Sequence, residues 1–306
     1  MYTEAEFRAL ATLRDGSTVS DLAEDLERSS SYVSELVERM ESKGLIRSAR
    51  VGKMKRINRS DARAVELFDE FVQRYSHIPF PELLDGATLR VLFHLGSPSS
   101  ATRLAEQADV HRSTIHRSLS PLEARGVVYR TDRRYALNDE FQELSTLARE
   151  FVHLRNRCRA EDYTESFTLL WESADEFLLQ TDDEVEADTF HLTGPERFQA
   201  YDLPLLARQR RYYLYSKSVE RVSPAELCCH MLVIGDGTRS HSYCLLLISE
   251  TSIGHEELAD TAKKYGVTEQ VADLLAYLDT GGEERSRRLP RWDEFRDLAD
   301  EYGVTV

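Results

Sequence analysis

Asp21-Leu22-Ala23-Glu24, Ser31-Tyr32-Val33-Ser34 and Lys43-Gly44-Leu45-Ile46 return later in the chain as Arg103-Leu104-Ala105-Glu106, Ser113-Thr114-Ile115-His116 and Arg125-Gly126-Val127-Val128. Leu104, Ser113 and Gly126 each fall 82 places after Leu22, Ser31 and Gly44. A fixed period over three separate blocks marks a duplicated structural unit. Working outward, Phe7, Leu10 and Leu13 correspond to Leu89, Leu92 and Leu95 at the same offset, with helical spacing. Glu70-Phe71-Val72 and Glu150-Phe151-Val152 match at an offset of 80, so the second copy loses two residues somewhere after Gly126.

Each copy carries the same local signals. Thr3 with Glu6 forms a capping box for a first helix that closes near Gly16. Thr18 with Asp21 opens a short second helix bearing Leu22, Ala23 and Leu26. Ser31 is expected to cap a third, in which Val33, Leu36, Val37 and Met40 make one apolar stripe. Gly44 ends that helix, and Leu45-Ile46 enters an extended stretch that turns at Gly52 and returns through Met54 and Ile57.

Three helices and a two-stranded wing are the order of a winged helix-turn-helix. Leu22-Ala23-Glu24, Ser31-Tyr32-Val33-Ser34 and Glu41-Ser42-Lys43-Gly44-Leu45-Ile46 resemble the MarR/ArsR-like regulators. Ser113-Thr114-Ile115 and Leu122-Glu123-Ala124-Arg125-Gly126-Val127 carry the likeness in the second copy. The resemblance implies double-stranded DNA as partner, with third helices in the major groove and wings on phosphates. Arg47, Arg50, Lys53, Lys55 and Arg56 fall where the first wing should be, with Arg59 beyond, and Arg130, Arg133 and Arg134 where the second should be. On the outward faces of the third helices the expected base-facing residues are Ser30, Ser31, Tyr32 and Ser34 in one copy. In the other they are Arg112, Ser113, Thr114, His116 and Arg117. Glu35 and Glu38 repel phosphates and arginine suits guanine, so the second copy is expected to read bases more strongly while the first anchors through its wing. Pro121 removes a donor to the carbonyl of Arg117 and is expected to bend its helix.

After each wing comes an amphipathic helix, Ala64 to Tyr75 and Asp139 to about Arg159. In related regulators such helices dimerise or equally often pack on their own domain, and a homodimer is expected. Ser76-His77-Ile78-Pro79-Phe80-Pro81 separates the copies, giving winged-helix domains over 1–76 and 77–160. The fold class read from this pattern is mainly α with small β wings, plus an α+β regulatory or partner-binding domain over 161–306. In that last part strands are expected at Phe190 to Leu192 and Tyr212 to Tyr215. Helices are expected after Ser223-Pro224-Ala225-Glu226, over His255 to Tyr265 and Thr268 to Leu278, and around Trp292 to Tyr302.

The formal net charge of -15 argues against a polyanionic partner unless the cations are concentrated, as they are here. Scarce lysine beside plentiful arginine and acid resembles proteins of salt-loving archaea, where acidity serves solubility. No apolar run long enough to span a bilayer and no basic-then-apolar start occur, and a cytoplasmic location is expected. Thr193-Gly194-Pro195, Val222-Ser223-Pro224-Ala225-Glu226-Leu227, Glu257-Leu258-Ala259 and Lys264-Tyr265-Gly266 resemble the C-terminal domain of AbiEi-type antitoxin regulators. That resemblance implies autoregulation or a toxin-like protein partner on a nucleotidyltransferase-related fold.

Enzyme motifs are missing from the sequence: no Walker A, no Gly-x-Ser-x-Gly, no His-Glu-x-x-His and no nucleotidyltransferase Gly-Ser with Asp-x-Asp. No catalytic residue and no cofactor is expected, with a nucleotidyltransferase-like enzyme as an alternative reading. Asp182-Asp183-Glu184-Val185-Glu186 has the composition of a metal loop or of a solvated one. Cys228, Cys229, His230, His241 and Cys244 hold soft and imidazole donors, leaving a metal-responsive regulator as an alternative to buried thiols. Winged helices serving as protein scaffolds remain a third reading, against which the basic wings count.

Overall fold

The computed structural model describes residues 1–52, 54–205, 210–251, 253–283 and 286–306. The first copy runs α1 (Glu4–Thr12), α2 (Val19–Asp25), α3 (Ser30–Ser42), β1 (Ile46–Val51), β2 (Met54–Arg59) and α4 (Arg63–Arg74). The second opens with a single turn, α5 (Phe80–Leu83). It continues through α6 (Gly86–Phe93), β3 (Ser99–Ser100), α7 (Ala101–Gln107), α8 (Arg112–Glu123), β4 (Val128–Thr131), β5 (Arg134–Leu137) and α9 (Glu143–Glu161). Both copies are therefore winged helix-turn-helix modules, as the repeat implied.

Both capping boxes form: the Thr3 hydroxyl accepts from the Glu6 amide and the Thr18 hydroxyl from the Asp21 amide, with the carboxylates closing back on the cap amides. The cap of α3 is Ser29, not Ser31, its hydroxyl accepting from the Tyr32 amide at 3.3 Å. Three consecutive serines have equal capping chemistry, and the helix starts at Ser30, which puts only Ser29 at the right reach. Gly44 and Gly126 close α3 and α8 with φ near +70°, the left-handed conformation that suits glycine at a helix end.

The two-residue deficit in the second copy is the net of two changes. The first wing pairs Ile46 with Arg59 through Val51 with Met54, whereas the second pairs only Val128 with Leu137 through Thr131 with Arg134. Four residues are lost there, and a short 3-10 turn at Asp139–Phe141 ahead of α9 restores two.

Residues Met1–Arg159 make one unit and Ala160–Val306 another. Within the first, both copies share a continuous core that includes Phe7, Leu10, Val33, Leu36, Phe68 and Phe71 with Leu89, Leu92, Ile115, Leu119, Leu147 and Phe151. Burying each such side chain stabilises by about 1.5–3 kcal/mol, so the copies are held by the same force that folds each one.

The second unit is α+β. An antiparallel sheet, β6 (Phe167–Glu172), β7 (Phe177–Thr181), β9 (Arg211–Tyr215) and β8 (Phe190–Thr193) in spatial order, accompanies α10 (Pro224–Ile234), α11 (Thr238–Thr251), α12 (His255–Tyr265), α13 (Thr268–Asp279) and α14 (Trp292–Tyr302). The expected capping box at Ser223 and Glu226, and the left-handed Gly266 closing α12, are both present. The β6–β7 hairpin and α11 were not expected from sequence. No helix among the described residues is long and apolar enough to cross a membrane.

Candidate nucleic-acid interface

In the second copy α8 begins at Arg112, with the His111 ring as cap accepting from the Ser113 amide. Its buried side is Ile115, Ser118, Leu119 and Leu122. That face fixes the rotation of the helix, leaving Arg112, Ser113 and Arg117 exposed, with Thr114 half-buried. His116 is also half-buried: its Nδ1 shares a 2.8 Å hydrogen bond with the Tyr135 hydroxyl on β5. It thus ties the third helix to the wing, and its ring is less available to a base than the sequence pattern suggested. Tyr135 in turn lies 5.4 Å beneath the Arg130 guanidinium. α8 continues to Glu123 through Pro121.

The β4–β5 turn is Asp132-Arg133, with φ of +51° and +64°. Left-handed conformation at both central positions is a turn that favours Asn-Gly, because a Cβ there costs about 1 kcal/mol. An arginine held at the apex against that cost is a local strain of the kind found where a side chain has work outside the fold. Arg112, Arg117, Arg130, Arg133 and Arg134 are all exposed, and none forms an ion pair among the described residues.

In the first copy the same backbone carries a different electrostatic pattern. Buried Val33, Leu36, Val37 and Met40 turn Ser30, Ser31, Tyr32 and Glu35 outward and leave Ser34 half-exposed. Arg47 pairs with Asp61, and Lys55 pairs with Glu41 at 2.9 Å. Glu41 also accepts from Ser48, and these bonds hold its carboxyl below the usual range despite opposition from partial burial. Arg56 donates to the Gly16 carbonyl at 2.7 Å. Arg59 is drawn inward, to Asp69 at 2.9 Å and the Leu10 carbonyl at 3.2 Å. Lys43 reaches the fully buried Glu6 at 2.7 Å. Arg50 is exposed and forms no ion pair with a described residue, and Lys53 lies outside the described residues. A basic cluster in the sequence is thus largely a set of ion pairs and loop clasps in the fold.

On the wings, the exposed large apolar residues among those described are Met54, at the end of the first wing's turn, and Tyr129 on β4, neither of which the sequence placed among the candidate contacts. No strand alternation marks Tyr129, because Val128 alone of β4 is buried.

In the second unit the cysteine and histidine donors do not converge. No group of three or more His, Cys, Asp or Glu among the described residues is placed to hold a metal ion. The Cys244 thiol donates to the Cys228 carbonyl at 3.5 Å, and burial pushes the Cys229 thiol up. His230 shares a 2.8 Å hydrogen bond with Thr193, and burial holds it neutral by pushing it down to about 3. His241 Nδ1 sits 3.1 Å from the Gly237 carbonyl. The acidic run is likewise tied into the fold, with Asp183 accepting from Thr164 at 2.6 Å and Glu184 pairing with Arg211 at 3.0 Å.

Two winged helix-turn-helix modules, one bearing on its third helix and wing a stripe of arginines that form no ion pair with a described residue, define a DNA-binding transcription regulator. The family comparisons agree copy by copy: the MarR family matches residues 2–52, and the IclR helix-turn-helix domain matches residues 88–132. A C-terminal domain family, HVO_2833_C, matches residues 187–304. No curated protein and no solved structure matches the chain.

Proposed function

We propose that the chain is a sequence-specific regulator in which α8 enters the major groove and reads bases through Arg112, Thr114 and Arg117, while Arg130, Arg133 and Arg134 hold phosphates. The observation that carries this reading is the set of five exposed arginines on α8 and its wing, none in an ion pair with a described residue, in a protein of net charge -15. An acidic chain gains nothing by leaving such a stripe uncompensated on one face unless an anion covers it. Bidentate contact of arginine with guanine supplies specificity, and phosphate contacts supply register and most of the salt dependence. The first copy adds Ser30, Ser31, Tyr32 and Ser34 as short polar contacts and Arg50 as a phosphate contact. Arg47 and Lys55 exchange their carboxylates for phosphates on binding, an exchange made cheap because exposed pairs contribute only about 0–1 kcal/mol.

The last 147 residues, one separate unit, are then the part that senses a ligand or protein partner and modulates the first. The test is selection from a random duplex library by the full chain, followed by competition across a range of salt. Enrichment of a defined sequence, with affinity falling as salt rises, is the expected result. Equal retention of all duplexes at every salt concentration overturns the proposal.

A further inference from the structure

Phe71 on α4 and Phe151 on α9 occupy the same repeat position, 80 residues apart, and each packs on the opposite copy. Phe151 lies 5.1 Å from Tyr2 and 5.0 Å from Phe7, both rings of the first copy, with an edge-to-face arrangement in each case. Further along α9, Leu154 and Cys158 close over Gly44 so tightly that a Cβ there would sit 2.9 Å from both. In the other direction Phe71 lies 5.8 Å from Phe80, and Tyr75, just past α4, lies 4.8 Å from Phe141. The Tyr75 hydroxyl donates to the Glu140 carbonyl at 2.7 Å, and Arg74 pairs with Glu143 at 2.9 Å. Equivalent positions on α4 and α9 thus reach across in both directions but onto different partners, since Gly126, the counterpart of Gly44, meets no neighbour within 4 Å, and the interface inside the chain joins two unlike halves.

We infer that the two copies are a built-in dimer, and that one chain alone occupies a DNA site made of two unlike halves. This rests on the DNA-reading role proposed above and extends it to the form of the operator. Among the described residues, the helices expected to join two chains have no exposed large apolar face left for doing so. Ala64, Val65, Phe68 and Phe71 of α4 are buried, as are Leu147, Ala148 and Phe151 of α9. Among the described residues the exposed large apolar side chains are Tyr32, Met54, Tyr129, Tyr163 and Val306, and none lies on α4 or α9. The two reading faces also differ at matched positions: Ser30 against Arg112, Tyr32 against Thr114, Glu35 against Arg117. A homodimer presents two identical helices and selects a palindrome, whereas this pair presents two different ones. The half under α8 is a guanine-containing one, and the half under α3 accepts serine, tyrosine and a carboxylate that excludes close phosphates.

The experiment uses the full chain and the duplex that it enriches most strongly from a random library. Titrating that duplex at concentrations far above Kd gives the stoichiometry, and light scattering gives the mass of the complex. The expected result is saturation at one chain per duplex on a site whose halves differ, with at least a tenfold loss when one half is replaced by an inverted copy of the other. Two chains per duplex on a palindrome would overturn the inference while leaving DNA reading intact. Failure to enrich any duplex removes the DNA-reading proposal itself, and with it this inference.

Discussion

The two wings are built from one repeat and spend their cations differently. In the first, six residue pairs long, Arg47 and Lys55 face carboxylates of their own copy, and Arg56 clasps the loop before α2. In the second, four pairs long, the arginines form no ion pair with a described residue, Arg130 lies over the Tyr135 ring and Arg133 sits on a strained apex. The lesson is that basic residues in a sequence count toward nucleic-acid binding only after those engaged within the fold are subtracted. Here that subtraction moves the expected weight of DNA contact to the second copy.

The largest expected difference between the copies concerns their mutual packing. Gly44 and Gly126 occupy one repeat position with φ of +71° and +70°, but only Gly44 lies against α9. Gly126→Ala therefore carries the conformational cost alone, about 1 kcal/mol. Gly44→Ala adds overpacking against Leu154 and Cys158, roughly 1–3 kcal/mol more. Chemical denaturation of both variants checks this, and equal losses would show that α9 does not clamp the first copy.

A second contrast is acid sensitivity. His94, matched by Thr12 in the first copy, has a buried Nε2 with no hydrogen-bond partner among the described residues, and burial, assisted by Arg149, pushes it from 6.5 down to about 4. Between those values the unfolded chain takes up a proton that the folded chain refuses, so the neutral ring's full stability holds above about pH 6.5 and falls as pH drops toward 4. His94→Thr should flatten that part of the profile of Tm against pH for the first unit. An unchanged slope would assign the acid loss to other groups.

The smallest effect on stability has the opposite sign. Arg133→Gly relieves a left-handed arginine and should stabilise by about 1 kcal/mol while weakening DNA binding several-fold and lowering the salt slope by about one. Tighter binding, or a loss of stability, would show that the apex is not held for an anion.

Much of the first unit is legible in the sequence because its signals are local and occur twice. Capping boxes, apolar stripes and terminal glycines each decide one element. The side-chain economy of the wings was not legible, since which carboxylate meets Arg47 or Lys55 depends on hairpin register and helix rotation. In the second unit the β6–β7 hairpin escaped notice because the pairing slips between Leu169 and Trp171, which breaks the alternation of Phe167-Thr168-Leu169-Leu170-Trp171. Helix α11 escaped for another reason: His241, Cys244, Leu245, Leu246, Leu247 and Ile248 are all buried, so the segment has no polar face to give a period.

Matched positions on the two third helices are expected to play unequal parts, and Glu35 and Arg117 are such a pair. Binding of the enriched duplex and of its single-base variants should be measured for the parent chain, Glu35→Ala and Arg117→Ala. Arg117→Ala is expected to lose about 1–3 kcal/mol, roughly 5- to 150-fold, with relaxed preference at one guanine, while Glu35→Ala binds as well as the parent or better. Equal losses from both variants, spread evenly over all base changes, would contradict this expectation.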